Sequence, residues 1–183
     1  MQESPRPLQG AAEQPYLAIR SALAAIFGLS AWMKVRESAR FTAALQAYAI
    51  LPPGAAPLAA WLAIGAELAV AVALAAGSVV AVPALATLLL AYSLAIVVNL
   101  FRGRRDIRCG CGSADVRLGP ELLWRNAFVG LLAATTVIPE TPRRLVMFDA
   151  AGIVAFSIFA LLSWFAWEQV ILNAQQRTKS EAG

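Results

Sequence analysis

Between Ala55 and Phe101 the chain carries a single formal charge, Glu67. As one helix this run would be about 70 Å long, more than twice the roughly 30 Å hydrocarbon core of a bilayer. It must fold back on itself, and Gly77-Ser78 is the strongest turn signal inside it. Two spans follow, Ala55–Ala76 and Val79–Phe101. Pro83 falls in the first turns of the second, where its missing donor costs little. The rest of the composition agrees: 60% of the 183 residues are hydrophobic and 14% charged, with a mean hydropathy of +0.66. A soluble domain is about 45–50% apolar with about a quarter of its residues charged. The fold class is therefore an all-α polytopic membrane helix bundle.

Three further spans complete it. The first runs from Tyr16 to Val35, with Trp32 and Lys34 as interfacial anchors. Pro52-Pro53-Gly54 breaks the chain before the second. A fourth opens at Gly119-Pro120-Glu121, with proline at a helix start and an acid in the first turn, and runs to Ile138. Pro139 and Pro142 mark a loop, and a fifth span covers Val146–Leu172. The expected organisation is a polar tail over 1–15, spans at 16–35, 55–76, 79–101, 120–138 and 146–172, a loop over 102–119, and a polar tail over 173–183. Residues 1–15 show no short apolar core with a cleavage signal, so they read as a tail and not a signal peptide.

The chain has no histidine, which excludes Ser-His-Asp and Cys-His catalysis and histidine-ligated zinc or haem. Its net charge of +4 is small, and the basic residues border apolar spans, so nucleic acid is not an expected partner.

The loop after the third span reads RGRRDIRCGCG, residues 102–112, and holds both cysteines of the chain, Cys109 and Cys111. Residues i and i+2 can reach disulfide distance, but the ring is small and strained, and Gly110 supplies the backbone freedom to close it. So short a loop removes little chain entropy, which makes stabilisation a poor reason for the pair. A strained, exposed disulfide is more oxidising and exchanges more readily. Arg105 and Arg108, with Arg102 and Arg104, would favour the reactive thiolate. Inert loop thiols are the alternative. Asp106 or Asp115 beside two thiolates makes a poor metal set, and no metal is expected.

Glu67 lies near mid-bilayer, where an ionisable group is costly unless paired or protonated. Gly65, Ala69, Ala73 and Gly77 form a close-packing stripe on the same span. Glu67 is offset from it by about 200°, on the opposite side. Covered on both faces, this span would be central. Arg20, one turn inside the first span, and Asp149, near the start of the fifth, are candidate partners, as Arg20–Glu67 or Arg20–Asp149 pairs. Structural pairing and proton handling are both open for Glu67. Asn99, Arg125 and Asn126 fall at the cysteine-bearing face. There they could cap helix ends, dock the loop, or bind a quinone head group or a partner's backbone.

These residues carry a resemblance. RGRRDIRCGCG, the WRN of Trp124-Arg125-Asn126, FGLSAWMK over 27–34, ALQAYAILP over 44–52 and Glu67 resemble the MauE family, within the wider DoxX-like group. Gly112 departs from the phenylalanine expected after the cysteine pair in many relatives. The resemblance covers about residues 16–140 and implies a four-helix DoxX-like core plus a fifth C-terminal span. It implies a role in maturing the disulfide-rich, periplasmic light subunit of methylamine dehydrogenase, together with a thioredoxin-like partner of the MauD type. Cys109 and Cys111 would then be a redox dithiol, Arg105 and Arg108 thiolate-stabilising groups, and Glu67 an intramembrane acid. By analogy with DsbB-type oxidases, a membrane quinone is a candidate electron acceptor.

Two readings compete. One is a thiol–disulfide relay in the bacterial inner membrane. The other is a non-enzymatic anchor or assembly factor whose basic loop, with Arg104 and Arg105, holds an acidic partner. A transporter using Glu67 ranks below both, because there is no clear internal repeat. Five spans place Lys34, Arg36, Arg40, Arg102, Arg104, Arg105, Arg108, Arg117, Arg177 and Lys179 on one face. The positive-inside rule assigns that face to the cytoplasm, whereas a relay to a periplasmic client needs it outside. The periplasmic loop is the placement taken here.

Overall fold

In a computed structural model, residues 10–52, 54–104, 107, 116–137 and 147–181 are described, with only the backbone at 10–15, 147–149 and 178–181. The described chain is helical, with no strand: α1 Gly10–Arg36, α2 Ser38–Tyr48, α3 Ala56–Ala75, α4 Ala81–Phe101, α5 Pro120–Ala134 and α6 Met147–Glu181. A 3₁₀ turn at Thr135–Val137 follows α5. Among the described residues, four segments are long and apolar enough to cross a membrane: Tyr16–Arg36, Ala56–Ala75, Ala81–Phe101 and Ala150–Arg177. This fits a multi-pass membrane protein. Helix α5 is shorter, about 22 Å, and its 3₁₀ turn adds about 6 Å.

Several boundaries differ from the sequence reading. Helix α1 begins at Gly10, inside the expected tail, and α6 runs on to Glu181, about 52 Å in all. The expected loop after the first span contains α2. It breaks from α1 at Glu37 and buries Phe41, Ala44 and Tyr48 at intervals of three and four, one helical face. That face packs on the start of α3, where Phe41 meets Ala60 and Ile64.

Helix α1 lies against α3 and α6, and α4 packs on α3 and α5. Helices α1 and α6 run parallel, and Ser21 Oγ meets Ser157 Oγ at 3.0 Å. The inward stripe of α3 is Ala56, Ala60, Ile64, Glu67, Ala71 and Leu74. Gly65 and Ala69 are exposed on its other side, and a Cβ built at Gly65 would meet nothing within 4 Å. The described chain therefore covers one face of α3 and not both. It is α1, touching α2, α3, α5 and α6, that is central.

Helices α3 and α4 end in the same way. Ser78 N–H donates to Ala73 O and Gly77 N–H to Leu74 O; Arg104 N–H donates to Asn99 O and Gly103 N–H to Leu100 O. Both are Schellman caps with glycine in the left-handed region, Gly77 at φ 73° and Gly103 at φ 70°. An L side chain there costs about 1–2 kcal/mol. Gly77→Ala is accordingly expected to lower stability by about that amount, read as a lower thermal midpoint in detergent; an unchanged midpoint would show that the turn tolerates another conformation.

Candidate functional site

The bundle interior is apolar, then polar, then apolar again along its length. One cluster holds Leu23, Phe27, Val70, Leu74, Leu85, Leu89, Val129 and Ala133, with Trp164 packed on it. A second, toward the cysteine-bearing loop, holds Tyr48, Ile96, Val116, Leu118, Leu122 and Ile171. Between the clusters α4, α5 and α6 turn polar side chains away from the exposed face: Tyr92 and Ser93 on α4, Arg125 and Asn126 on α5, Glu168 on α6. Glu67 on α3 and Lys34 on α1 complete the layer.

Its centre is Glu67. The carboxylate is 1% exposed and pairs with Lys34 Nζ, whose side chain is 5% exposed. Tyr92 OH donates to the same oxygen, Oε1, at 2.6 Å. Lys34 also donates to Ser30 Oγ at 3.1 Å. Its ammonium lies over the rings of Phe41 and Tyr92, 5.2 and 5.3 Å from their centroids. The other oxygen, Glu67 Oε2, is buried with no hydrogen-bond partner among the described residues. Three helices, α1, α3 and α4, thus converge on one carboxylate, and α2 covers its ammonium partner through Phe41.

This corrects two expectations. Lys34 is no interfacial anchor: it turns inward, while Trp32 beside it is exposed. Glu67 is not partnered by Arg20. The Arg20 side chain lies at the far end of the α1 stripe and donates to Leu74 O at 3.2 Å, Ala73 O and Ser78 O, and to Tyr16 OH. It caps the C-terminus of α3, where carbonyls lack helical partners and the macrodipole favours a cation. The Asp149 side chain lies outside the described residues.

Asn126 Nδ2 donates to Ser93 Oγ at 3.2 Å, joining α5 to α4. Arg125 pairs with Glu168 at 3.8 Å, both side chains nearly buried. Its guanidinium lies over Trp164, 4.7 Å from the ring centroid. Asn99 is fully buried and donates to Ala95 O in its own helix. Asn99 Oδ1 and Arg125 Nε have no hydrogen-bond partner among the described residues.

Arg105, Asp106, Arg108, Cys109 and Cys111 lie outside the described residues. The stems on either side of them are described. Upstream, Arg102 and Arg104 donate to Ala49 O at 3.1 Å and Ala47 O at 3.4 Å, at the C-terminus of α2. Downstream, Val116 and Leu118 are buried. Leu118 N–H donates to Ile107 O at 3.0 Å and closes the stem. Trp32, Trp61, Trp124 and Trp167 are exposed, each on the half of its helix nearer this loop, the kind of placement an aromatic belt at a membrane interface takes.

The family model described as methylamine utilisation protein MauE matches residues 12–139. The chain belongs to the MauE family. A curated relative, the methylamine utilization protein MauE of Paracoccus denitrificans, is 36% identical over 96 residues, covering 51% of this chain and 52% of that protein. The chain therefore spans about half the length of this relative. No solved structure gives a significant match. The MauE-matching region contains Lys34, Glu67, Tyr92, both cysteines, Arg125 and Asn126. Trp164, Glu168 and Gln175 on α6 lie beyond it.

Sequence reasoning missed Lys34 as a partner of Glu67, and missed Tyr92, Ser93, Trp164, Glu168 and Gln175. One signal was present: Glu168 is an acid inside an otherwise apolar span, as costly as Glu67 unless paired. Tyr92 and Gln175 carry no comparable signal, because a span readily takes a tyrosine and a helix end a glutamine.

Proposed function

We propose that this chain is a five-span protein of the bacterial inner membrane that acts in methylamine utilisation, as a thiol–disulfide exchange component in the maturation of the methylamine dehydrogenase light subunit. The observation that carries the reading is the closed stem: Ile107 and Leu118 join the two ends of the segment that contains Cys109 and Cys111, at the level where four exposed tryptophans mark a membrane interface. A dithiol carried on such a stem suits a thioredoxin-like partner approaching from the aqueous side. In the exchange, a partner thiolate attacks the Cys109–Cys111 disulfide and forms a mixed disulfide. The partner's second thiol then resolves it. One S–S bond breaks as another forms, and two electrons and two protons pass to Cys109 and Cys111. Arg105 and Arg108 would stabilise the leaving thiolate.

Glu67 supports this reading as a structural ion pair holding α1, α3 and α4 together. Asn99 Oδ1 and Arg125 Nε offer one acceptor and one donor to the head group of a membrane quinone, and the exchange step uses neither. The anchor reading keeps one point in its favour, the exposed arginines of the upstream stem.

The structure supplies a reason for basic residues on this face other than topology. Arg102 and Arg104 serve carbonyls at the end of α2, and Lys34 is turned inward against Glu67. These three weigh less in the positive-inside count, which supports a periplasmic cysteine segment. Labelling Cys109 and Cys111 in intact spheroplasts with a membrane-impermeant thiol reagent, before and after reduction, tests this. Labelling only after reduction is the expected result. Protection in spheroplasts with labelling after lysis would place the segment in the cytoplasm and remove a periplasmic client.

A further inference from the structure

Helix α6 continues about 21 Å beyond Trp167, past the aromatic belt. Trp164, Glu168, Ile171 and Gln175 recur on it at intervals of four, three and four, one helical face. All four meet α5 or the downstream stem. Trp164 stacks on Arg125, Glu168 pairs with it, and Ile171 is buried with Val116 and Leu118. Gln175 Oε1 accepts from Arg117 N–H at 3.0 Å, and its Nε2 donates back to Arg117 O at 3.2 Å. The same Nε2 reaches Glu121 Oε1 at 2.8 Å.

One side chain thus occupies both backbone groups of Arg117, as a paired strand would. Glu121 is held over the start of α5 by the same contact. A Cβ at Gly119 would lie 2.2 Å from both carboxylate oxygens of Glu121, so a side chain there would push Glu121 away from Gln175.

We infer that Gln175 is a positioning residue: through it the extra-membrane end of α6 sets the geometry of the downstream stem, and hence the reactivity of the cysteine pair. This rests on the redox reading for its consequence, but not for its first measurement. The full chain in lipid nanodiscs, fully reduced, would be alkylated with a maleimide across a pH series. Its thiols would then be equilibrated against glutathione buffers. The variants are Gln175→Ala, Gln175→Met, which keeps the length and loses the hydrogen bonds, Gly119→Ala, and Gln176→Ala at an exposed neighbouring position.

The two Gln175 variants are expected to raise the alkylation rate about tenfold to a hundredfold, the scale of losing three ordinary hydrogen bonds, and Gly119→Ala about fivefold, the scale of losing one; all three should shift both its pH midpoint and the glutathione ratio at half-oxidation. Gln176→Ala should match the unsubstituted chain. Unchanged rates and pH midpoints in Gln175→Met and Gly119→Ala would overturn the inference. A pair that stays reduced in every buffer would overturn the redox reading instead, and the alkylation rates would still decide the role of Gln175.

Discussion

Lys34→Ala is expected to destabilise the bundle by about 3–5 kcal/mol, the usual cost of removing one partner from a buried ion pair. The substitution leaves the Glu67 carboxylate in the interior with Tyr92 as its hydrogen-bond donor. It also opens a space beneath Phe41, which lies over the ammonium. The measurement is the folded fraction on thermal titration in mild detergent, and a midpoint equal to that of the unsubstituted chain would show that the pair contributes nothing. The double variant Lys34→Met, Glu67→Leu should recover most of the loss, because apolar residues of similar volume often replace a buried pair without penalty. That variant separates structure from chemistry. If it folds and still supports client maturation, Glu67 handles no essential proton. If it folds and maturation fails, the carboxylate does more than join α1 to α3.

The second large effect is expected at the cysteines. With Cys109→Ser and Cys111→Ser together, the mature light subunit should fall to the level seen without the protein, while insertion into the membrane stays unchanged. Neither hydroxyl can form or accept a disulfide, so no weaker version of the exchange survives. The anchor reading predicts the reverse order, with charge reversal on the upstream stem hurting more than cysteine loss. Arg104 also donates to Ala47 O, so reversing it would disturb α2 as well. The charge arm is therefore best read with Arg105→Glu. Full maturation without the cysteines, and failure with Arg105→Glu, would replace the relay by an anchor.

Part of the site is legible along the chain because its cost is legible. A carboxylate near mid-bilayer demands a partner, and a 200° offset places it opposite the stripe of Gly65 and Ala69. Which partner it takes is not legible. Arg20 and Lys34 lie on the same inward stripe of α1, and both side chains are long enough to reach a turn away from their own backbones. The register of α1 on α3 decides between them, sending Arg20 to the carbonyls of Ala73, Leu74 and Ser78 and Lys34 to Glu67. A lysine at a helix end suits water or the interior equally well. Helix α2, folded back so that Phe41 covers the ammonium, makes the interior its place.

The sequence alone determined the class of the molecule. Apolar runs of about 20 residues leave a helix bundle in a bilayer as the solution, since every backbone polar group there must be satisfied within its own segment. It also determined that a dithiol sits in an arginine-rich loop between two helices. The tertiary structure decided what that loop is tied to. Arg102 and Arg104 find the end of α2, and Arg117 finds Gln175, nearly 60 residues away in the chain. Such contacts leave no periodic trace, because they depend on where helix ends meet in space. They bring the distant α6 to the stem of the cysteine segment.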